Sequence, residues 1–202
     1  MRATVPYNIG YFLFLGFYKI FGLKIEGADN VPKKGGVIIA SNHRSNYDPP
    51  LVGCCIASRP VVFLAKKGLF INKTVSWVLR SVHAVPVDTG NPGINTMRFF
   101  VNLLKKGKAL IMFPEGSRSK TNKFLPAQPG VGYLSIKTKV PVVPVLITGT
   151  HESMLKHLLR QTPLSVKFGE PIYPEYDRPT MRNSKALSKK IIENIKRLTD
   201  GN

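Results

Sequence analysis

Val37-Ile38-Ile39-Ala40-Ser41-Asn42-His43-Arg44-Ser45-Asn46-Tyr47-Asp48-Pro49-Pro50 is the stretch from which the fold of this chain can be read. Its first four residues form a short, continuous apolar run with β-branched side chains, the pattern of a strand buried on both faces. The two prolines open a helix expected to run to residue 57, with Asp48 in the place of an N-cap. A buried strand that passes through a polar loop into a helix is the repeating unit of an open α/β fold. Such folds hold their ligands at the carboxyl edge of the sheet, and His43 falls at that edge.

The same alternation continues outward. Strands are expected over 61–65, 84–87, 109–113, 142–147 and 164–168, and helices over 74–82, 95–106 and 131–137. Gly107 follows the 95–106 helix as a C-terminal cap. A last helix over 185–198 puts Leu187, Ile191, Ile195 and Leu198 on one face and Lys189, Lys190, Lys196 and Arg197 elsewhere. That basic face suits either solvent or a membrane surface. The pattern predicts one α/β domain, residues 25–202, with a largely buried mixed sheet flanked by helices.

Residues 1–24 read differently. The segment 7–23, YNIGYFLFLGFYKIFGL, is rich in aromatics and carries a single charge, Lys19. As a helix it reaches roughly 25 Å, short of the roughly 30 Å hydrocarbon core of a bilayer. The n-region has only Arg2 and no small-residue cleavage site follows, so a signal peptide is not expected. The segment is expected to be a membrane-interface helix, with the alternatives that it packs on the domain core or, less in keeping with its length, spans the membrane.

Thirty Lys and Arg against eleven Asp and Glu give the 202-residue chain a formal net charge of +19. That charge attracts polyanions, whether nucleic acid, anionic lipid, an acidic carrier protein or a phosphorylated substrate. A nucleic-acid binder would interleave its aromatics with Lys and Arg on one strip. Here the aromatics concentrate in the nearly uncharged N-terminal segment, which favours lipid over nucleic acid. The two cysteines, Cys54 and Cys55, are adjacent, so neither a disulfide framework nor a metal spacing is expected.

His43 and Asp48 are five residues apart, which on a straight helix would separate them by about 140°. They can cooperate only through a loop that turns back, and Arg44-Ser45-Asn46-Tyr47 has the polar, turn-compatible composition for one. A histidine is the default base for a hydroxyl proton at neutral pH, and a carboxylate on its other ring nitrogen fixes the tautomer. Asp48 can serve as a helix cap and as that partner at once. No enzyme nucleophile is evident, so a substrate hydroxyl would attack directly. His83, His151 and His157 lack such an acid and are expected to be structural or exposed.

Phe113-Pro114-Glu115-Gly116-Ser117-Arg118 follows another buried strand. Gly116 permits close backbone approach, Gly116 and Ser117 can present N–H groups to an anion, and Arg118 offers a planar fork for phosphate oxygens. Glu115 is expected to position Arg118 or to accept from a substrate hydroxyl. Lys66 and Lys67 are further candidates for the same anion.

Asn42-His43-x4-Asp48, Ala65-Lys66-Lys67-Gly68-Leu69-Phe70, Phe113-Pro114-Glu115-Gly116-Ser117-Arg118-Ser119 and Val140-Pro141-Val142-Val143-Pro144-Val145 occur in this order. With them the chain resembles the 1-acyl-glycerol-3-phosphate (lysophosphatidic acid) acyltransferases, from about residue 25 to the Phe168-Gly169-Glu170-Pro171-Ile172 segment. The resemblance implies transfer of a fatty acyl chain from acyl-CoA or acyl-carrier protein to the sn-2 hydroxyl of a lysophospholipid, with no cofactor or metal. It implies His43 as base, Asp48 as its partner, and Glu115, Gly116, Ser117, Arg118, Lys66 and Lys67 as acceptor-site residues. It further implies a peripheral or monotopic place on the cytoplasmic face of the membrane, docked through residues 7–23. Many members carry Arg after a Pro-Val-Asp sequence; here Pro86-Val87-Asp88 is followed by Thr89, so one phosphate contact is either missing or supplied elsewhere, with Arg98 and Lys67 as candidates. The competing reading within the same fold is action on another lysolipid or hydroxyl acceptor, or a non-catalytic basic lipid-binding protein.

Overall fold

Residues alternate along each central strand between two apolar layers. Val37, Ile39, Phe63, Ile111, Val143 and Val145 join one core, while Ile38, Ala40, Val62, Leu110, Val142 and Leu146 join the other. A sheet apolar on both faces must be covered on both, and helices do so. The computed structural model describes residues 5–56, 59–87, 93–119, 121, 123–159 and 161–199.

In chain order the elements are α1 (Val5–Ile20), β1 (Leu23–Glu26), β2 (Val37–Ser41), α2 (Asp48–Cys54), β3 (Val61–Lys66), α3 (Lys73–Ser81) and β4 (Ala84–Val87). Then follow α4 (Ile94–Lys105), β5 (Ala109–Met112), α5 (Gly130–Thr138), β6 (Val142–Thr148), α6 (Met154–Leu158), β7 (Leu164–Phe168) and α7 (Met181–Arg197). Short 3-10 turns occupy Ala28–Asn30 and Lys67–Phe70. The sheet order is β1-β7-β6-β2-β5-β3-β4.

Strands β2 to β6 are parallel. β7 pairs antiparallel with β6, and β1 parallel with β7, so these two run the opposite way. The sheet is therefore mixed, as expected, and the domain is a single α/β unit. α1 and α2 cover one face through Tyr18, Leu51 and Val52. α4, α5 and α7 cover the other through Phe100, Leu104, Leu134, Leu187 and Ile191. α5 and α7 approach closely enough that a Cβ on Gly132 would lie 2.1 Å from the Ser184 carbonyl oxygen.

Several elements depart from expectation. β1 was not expected; Gly22, at φ 79°, ends the aromatic helix and turns the chain into a strand. The boundary expected after residue 24 therefore falls inside a strand of the main sheet. α6 was also not expected. α7 begins at Met181 rather than 185, because the Thr180 hydroxyl accepts from the Asn183 amide at 3.2 Å and caps it. α2 ends at Cys54, and residue 57 lies outside the described residues. Cys54 and Cys55 are buried and free.

α1 has a packed side and an open side. Tyr18 is buried, with Tyr11, Phe14 and Leu15 packed partly against the same core. Ile9, Phe12, Leu13 and Ile20 are exposed. Among the described residues no helix is long and apolar enough to cross a membrane.

Candidate active site

Because β2 to β6 run the same way, the segments that leave their carboxyl ends gather at one edge. β2 opens into His43, β5 into Phe113, and β3 into the Lys67–Phe70 turn. The β2 exit is pinned first. The Asn42 side chain, fully paired, donates to the Ile147 carbonyl at 2.9 Å and accepts from the Ile147 amide at 2.7 Å. This fastens the loop to β6 directly before His43.

The loop then turns back on itself. His43 Nδ1 lies 2.8 Å from Asp48 Oδ2, and the same oxygen accepts from the amides of Arg44 at 2.7 Å and Ser45 at 2.8 Å. A carboxylate only accepts, so Nδ1 carries the proton and Nε2 is left as the basic nitrogen. Asp48 is fully buried, whereas the His43 side chain keeps 18% of its exposure. The three convergent donors are charge-assisted bonds, stronger than neutral ones. Asp48 was expected to cap α2 with its carboxylate. Instead it bonds backward to the loop, and α2 has no side-chain cap.

The segment after β5 holds the other side of His43. The Phe113 ring stacks on the imidazole, with centroids 4.0 Å apart and planes 19° from parallel. Ser119 N donates to the His43 carbonyl at 2.9 Å. Glu115 is buried; its Oε1 accepts from the His43 amide at 3.0 Å and its Oε2 from the Leu125 amide at 2.8 Å. Glu115 was expected to position Arg118 or to accept from a substrate hydroxyl; in the structure its two oxygens accept from main-chain amides. Through these donors it joins two loops, and each oxygen keeps a second lone pair.

Gly116, Ser117 and Arg118 are exposed at the turn that follows, with Gly116 at φ 72°, a left-handed conformation suited to glycine. Arg118 makes no hydrogen bond or ion pair among the described residues. Lys66 and Lys67 are exposed at the end of β3. β5 lies between β3 and β2, so these lysines stand about 10 Å across the sheet from the His43 strand, two strand spacings away. Asp88 and Thr89 lie outside the described residues.

From the other side Tyr18 of α1 reaches the loop, its hydroxyl donating to the Tyr47 carbonyl at 3.4 Å. Burial pushes its phenol well above the ordinary tyrosine range, so it stays a donor. Asn42, Phe113 and Ser119 were not assigned roles from sequence; their only signal was a place inside the quoted motifs. Tyr18 had none. The remaining histidines are structural or exposed, as expected. His157 is buried, its ring nitrogens 3.1 Å from the Thr162 carbonyl and 3.0 Å from the Gly149 carbonyl. Among the described residues no cluster of three or more His, Cys, Asp or Glu side chains is placed to hold a metal ion. An oriented imidazole beside an exposed arginine turn can take a proton from a hydroxyl carried by an anion.

Residues 22–148 match the Acyltransferase family. A 1-acyl-sn-glycerol-3-phosphate acyltransferase of Bacillus subtilis (strain 168) is 30% identical over 179 residues, covering 88% of each chain. One from Streptococcus pneumoniae is 32% identical over 149 residues, which span 73% of this chain and 54% of that protein, about half its length. Among solved structures, the 1-acyl-sn-glycerophosphate (LPA) acyltransferase PlsC of Thermotoga maritima superposes with a TM-score of 0.65 at 28% identity. That superposition covers 87% of this chain and 69% of the other.

Proposed function

The chain belongs to the Acyltransferase family, and we propose that it moves a fatty acyl chain onto the sn-2 hydroxyl of 1-acyl-glycerol-3-phosphate, giving phosphatidic acid for phospholipid synthesis. The donor is a thioester, acyl-CoA or acyl-carrier protein. The observation that carries this reading is the 2.8 Å contact between His43 Nδ1 and Asp48 Oδ2 at the carboxyl edge of the sheet.

His43 Nε2 takes the proton of the acceptor hydroxyl as its oxygen attacks the thioester carbonyl. Asp48 holds the imidazolium that forms. The tetrahedral intermediate collapses with loss of the thiolate, and His43 returns the proton to that sulfur. The acyl–oxygen bond has formed, the acyl–sulfur bond has broken, and no net proton is lost. Arg118 and Lys66, with Lys67, receive the acceptor phosphate, and Gly116 and Ser117 shape the turn that admits it.

The protein works on the cytoplasmic face of an anionic membrane, where its net charge of +19 draws it and the exposed side of α1 enters the interface. α1 is the membrane-associating segment, and the acyltransferase domain includes β1 and the elements that follow it. Thr89 after Asp88 favours one second reading, a different lysolipid acceptor. The test offers purified protein acyl-CoA and acyl-carrier protein together with lysophosphatidic acid, glycerol 3-phosphate and uncharged lysolipids. Lysophosphatidic acid should be the preferred acceptor. Preference for an uncharged lysolipid would overturn the phosphate assignment.

A further inference from the structure

Two groups of uncovered apolar side chains lie on one flank of the molecule. The first is the outward stripe of α1, where Phe12 and Leu13 are 68% and 69% exposed. The second runs from the Lys67–Phe70 turn, through Ile71 just after it, into α3: Leu69, Ile71, Trp77 and Val78, with Ile71 84% and Trp77 66% exposed. α3 packs directly against α1. A Cβ placed on Gly10 of α1 would come within 3.3 Å of Val82, the residue that closes α3. Exposed apolar side chains grouped on two adjoining helices point to an interaction site.

Charge identifies the partner. Residues 5–25 and 59–87 contain no Asp or Glu, while Lys19, Lys66, Lys67, Lys73 and Arg80 are exposed there. Apolar side chains interspersed with cations, in segments without a carboxylate and with an indole among them, suit the boundary between acyl chains and anionic headgroups. The position fits as well. The Lys67–Phe70 turn leaves the same sheet edge as His43, and Tyr18 of α1 is bonded to the His43 loop at the Tyr47 carbonyl.

We infer that the Lys67–Phe70 turn and α3, anchored by Ile71 and Trp77, form a second contact with an anionic lipid bilayer beside α1. This rests on the membrane reading above and adds an orientation to it. One interfacial helix leaves the protein free to roll about the helix axis. A second contact stops the roll and holds the carboxyl edge of the sheet against the bilayer, where a lipid acceptor reaches His43 without leaving the interface.

Trp77 is the sole tryptophan of the chain, so its fluorescence reports this contact alone. The full chain is mixed with phosphatidylglycerol-containing vesicles whose acyl chains are brominated near the headgroup, and co-sedimentation is measured in parallel. The expected result is a blue shift and bromine quenching of Trp77, weaker on neutral phosphatidylcholine. Ile71→Asp should weaken vesicle affinity about tenfold, the effect of losing one buried aliphatic side chain, with the circular dichroism spectrum unchanged. Co-sedimentation with Trp77 unshifted and unquenched overturns the inference while leaving docking through α1 in place. No sedimentation with vesicles of any composition overturns both. A Trp77 shift on acyl-carrier protein alone, with none on vesicles, assigns this surface to a protein and also overturns the inference.

Discussion

Glu115 holds the main chain of His43, accepting its amide proton on Oε1 at 3.0 Å while Oε2 accepts from Leu125 at 2.8 Å. The carboxylate thus ties the β2 loop to the segment after β5, whose Phe113 ring already lies on the imidazole. Glu115→Ala leaves two amides without their acceptor in a buried place, a loss of about 1–3 kcal/mol for each unsatisfied group. Thermal melts should show the destabilisation, and kcat should fall with it. Glu115→Gln keeps one acceptor oxygen and should retain more of both.

Asp48→Asn separates the charge of the carboxylate from its shape. One amide oxygen can still accept from Arg44 and Ser45, so the loop and the fold should persist. The negative charge beside the imidazole is gone, and kcat should drop at least about a hundredfold with little change in KM. Steady-state kinetics on the folded variant checks this.

Gly132→Ala tests the packing opposite the site. The added carbon would stand 2.1 Å from the Ser184 carbonyl oxygen, so α5 and α7 must separate. A cost of about 1–3 kcal/mol corresponds to a melting temperature lower by roughly 2–10 °C. Activity per folded molecule should be unchanged, because α5 and α7 cover the core layer on the face away from α1 and α2.

His83 is buried, sits at φ 61°, and is held below the ordinary histidine range by that burial. As pH falls, the unfolded chain therefore takes up the proton before the folded one does. The stabilising contribution is present above the unfolded pKa of about 6.5 and is lost as pH falls toward the lower folded value. Melting temperature should decline between about pH 7.5 and about pH 5.5. His83→Asn, which tolerates the left-handed backbone, should flatten that slope; an equal slope would rule out His83 as its source.

Much of the fold was legible because local pattern and burial agree. Val37-Ile38-Ile39-Ala40 is apolar throughout and lies in the middle of the sheet, covered on both faces. Gly107 ends its helix at φ 72°, as its position foretold. The His43–Asp48 pair was legible since both residues sit in one short loop. β1 was hidden because residues 7–23 read as one aromatic run, and only the conformation of Gly22 divides it. The reversed direction of β7 and β1 depends on pairing between distant strands, which no local pattern records. The loop-joining contacts of Glu115 were hidden for a related reason. Its partners are main-chain amides 72 and 10 residues away, and a backbone donor has no signature in side-chain identity. Tyr18 could not be told from its aromatic neighbours until the packing side of α1 was known.

The central claim is that His43 takes the acceptor proton, and acyl transfer by His43→Ala tests it most directly. The variant is mixed with lysophosphatidic acid and acyl-CoA on vesicles, and phosphatidic acid is counted beside vesicle co-sedimentation. The account predicts that product falls to background while the variant binds vesicles like the parent. Phosphatidic acid formed at the parent rate would contradict it.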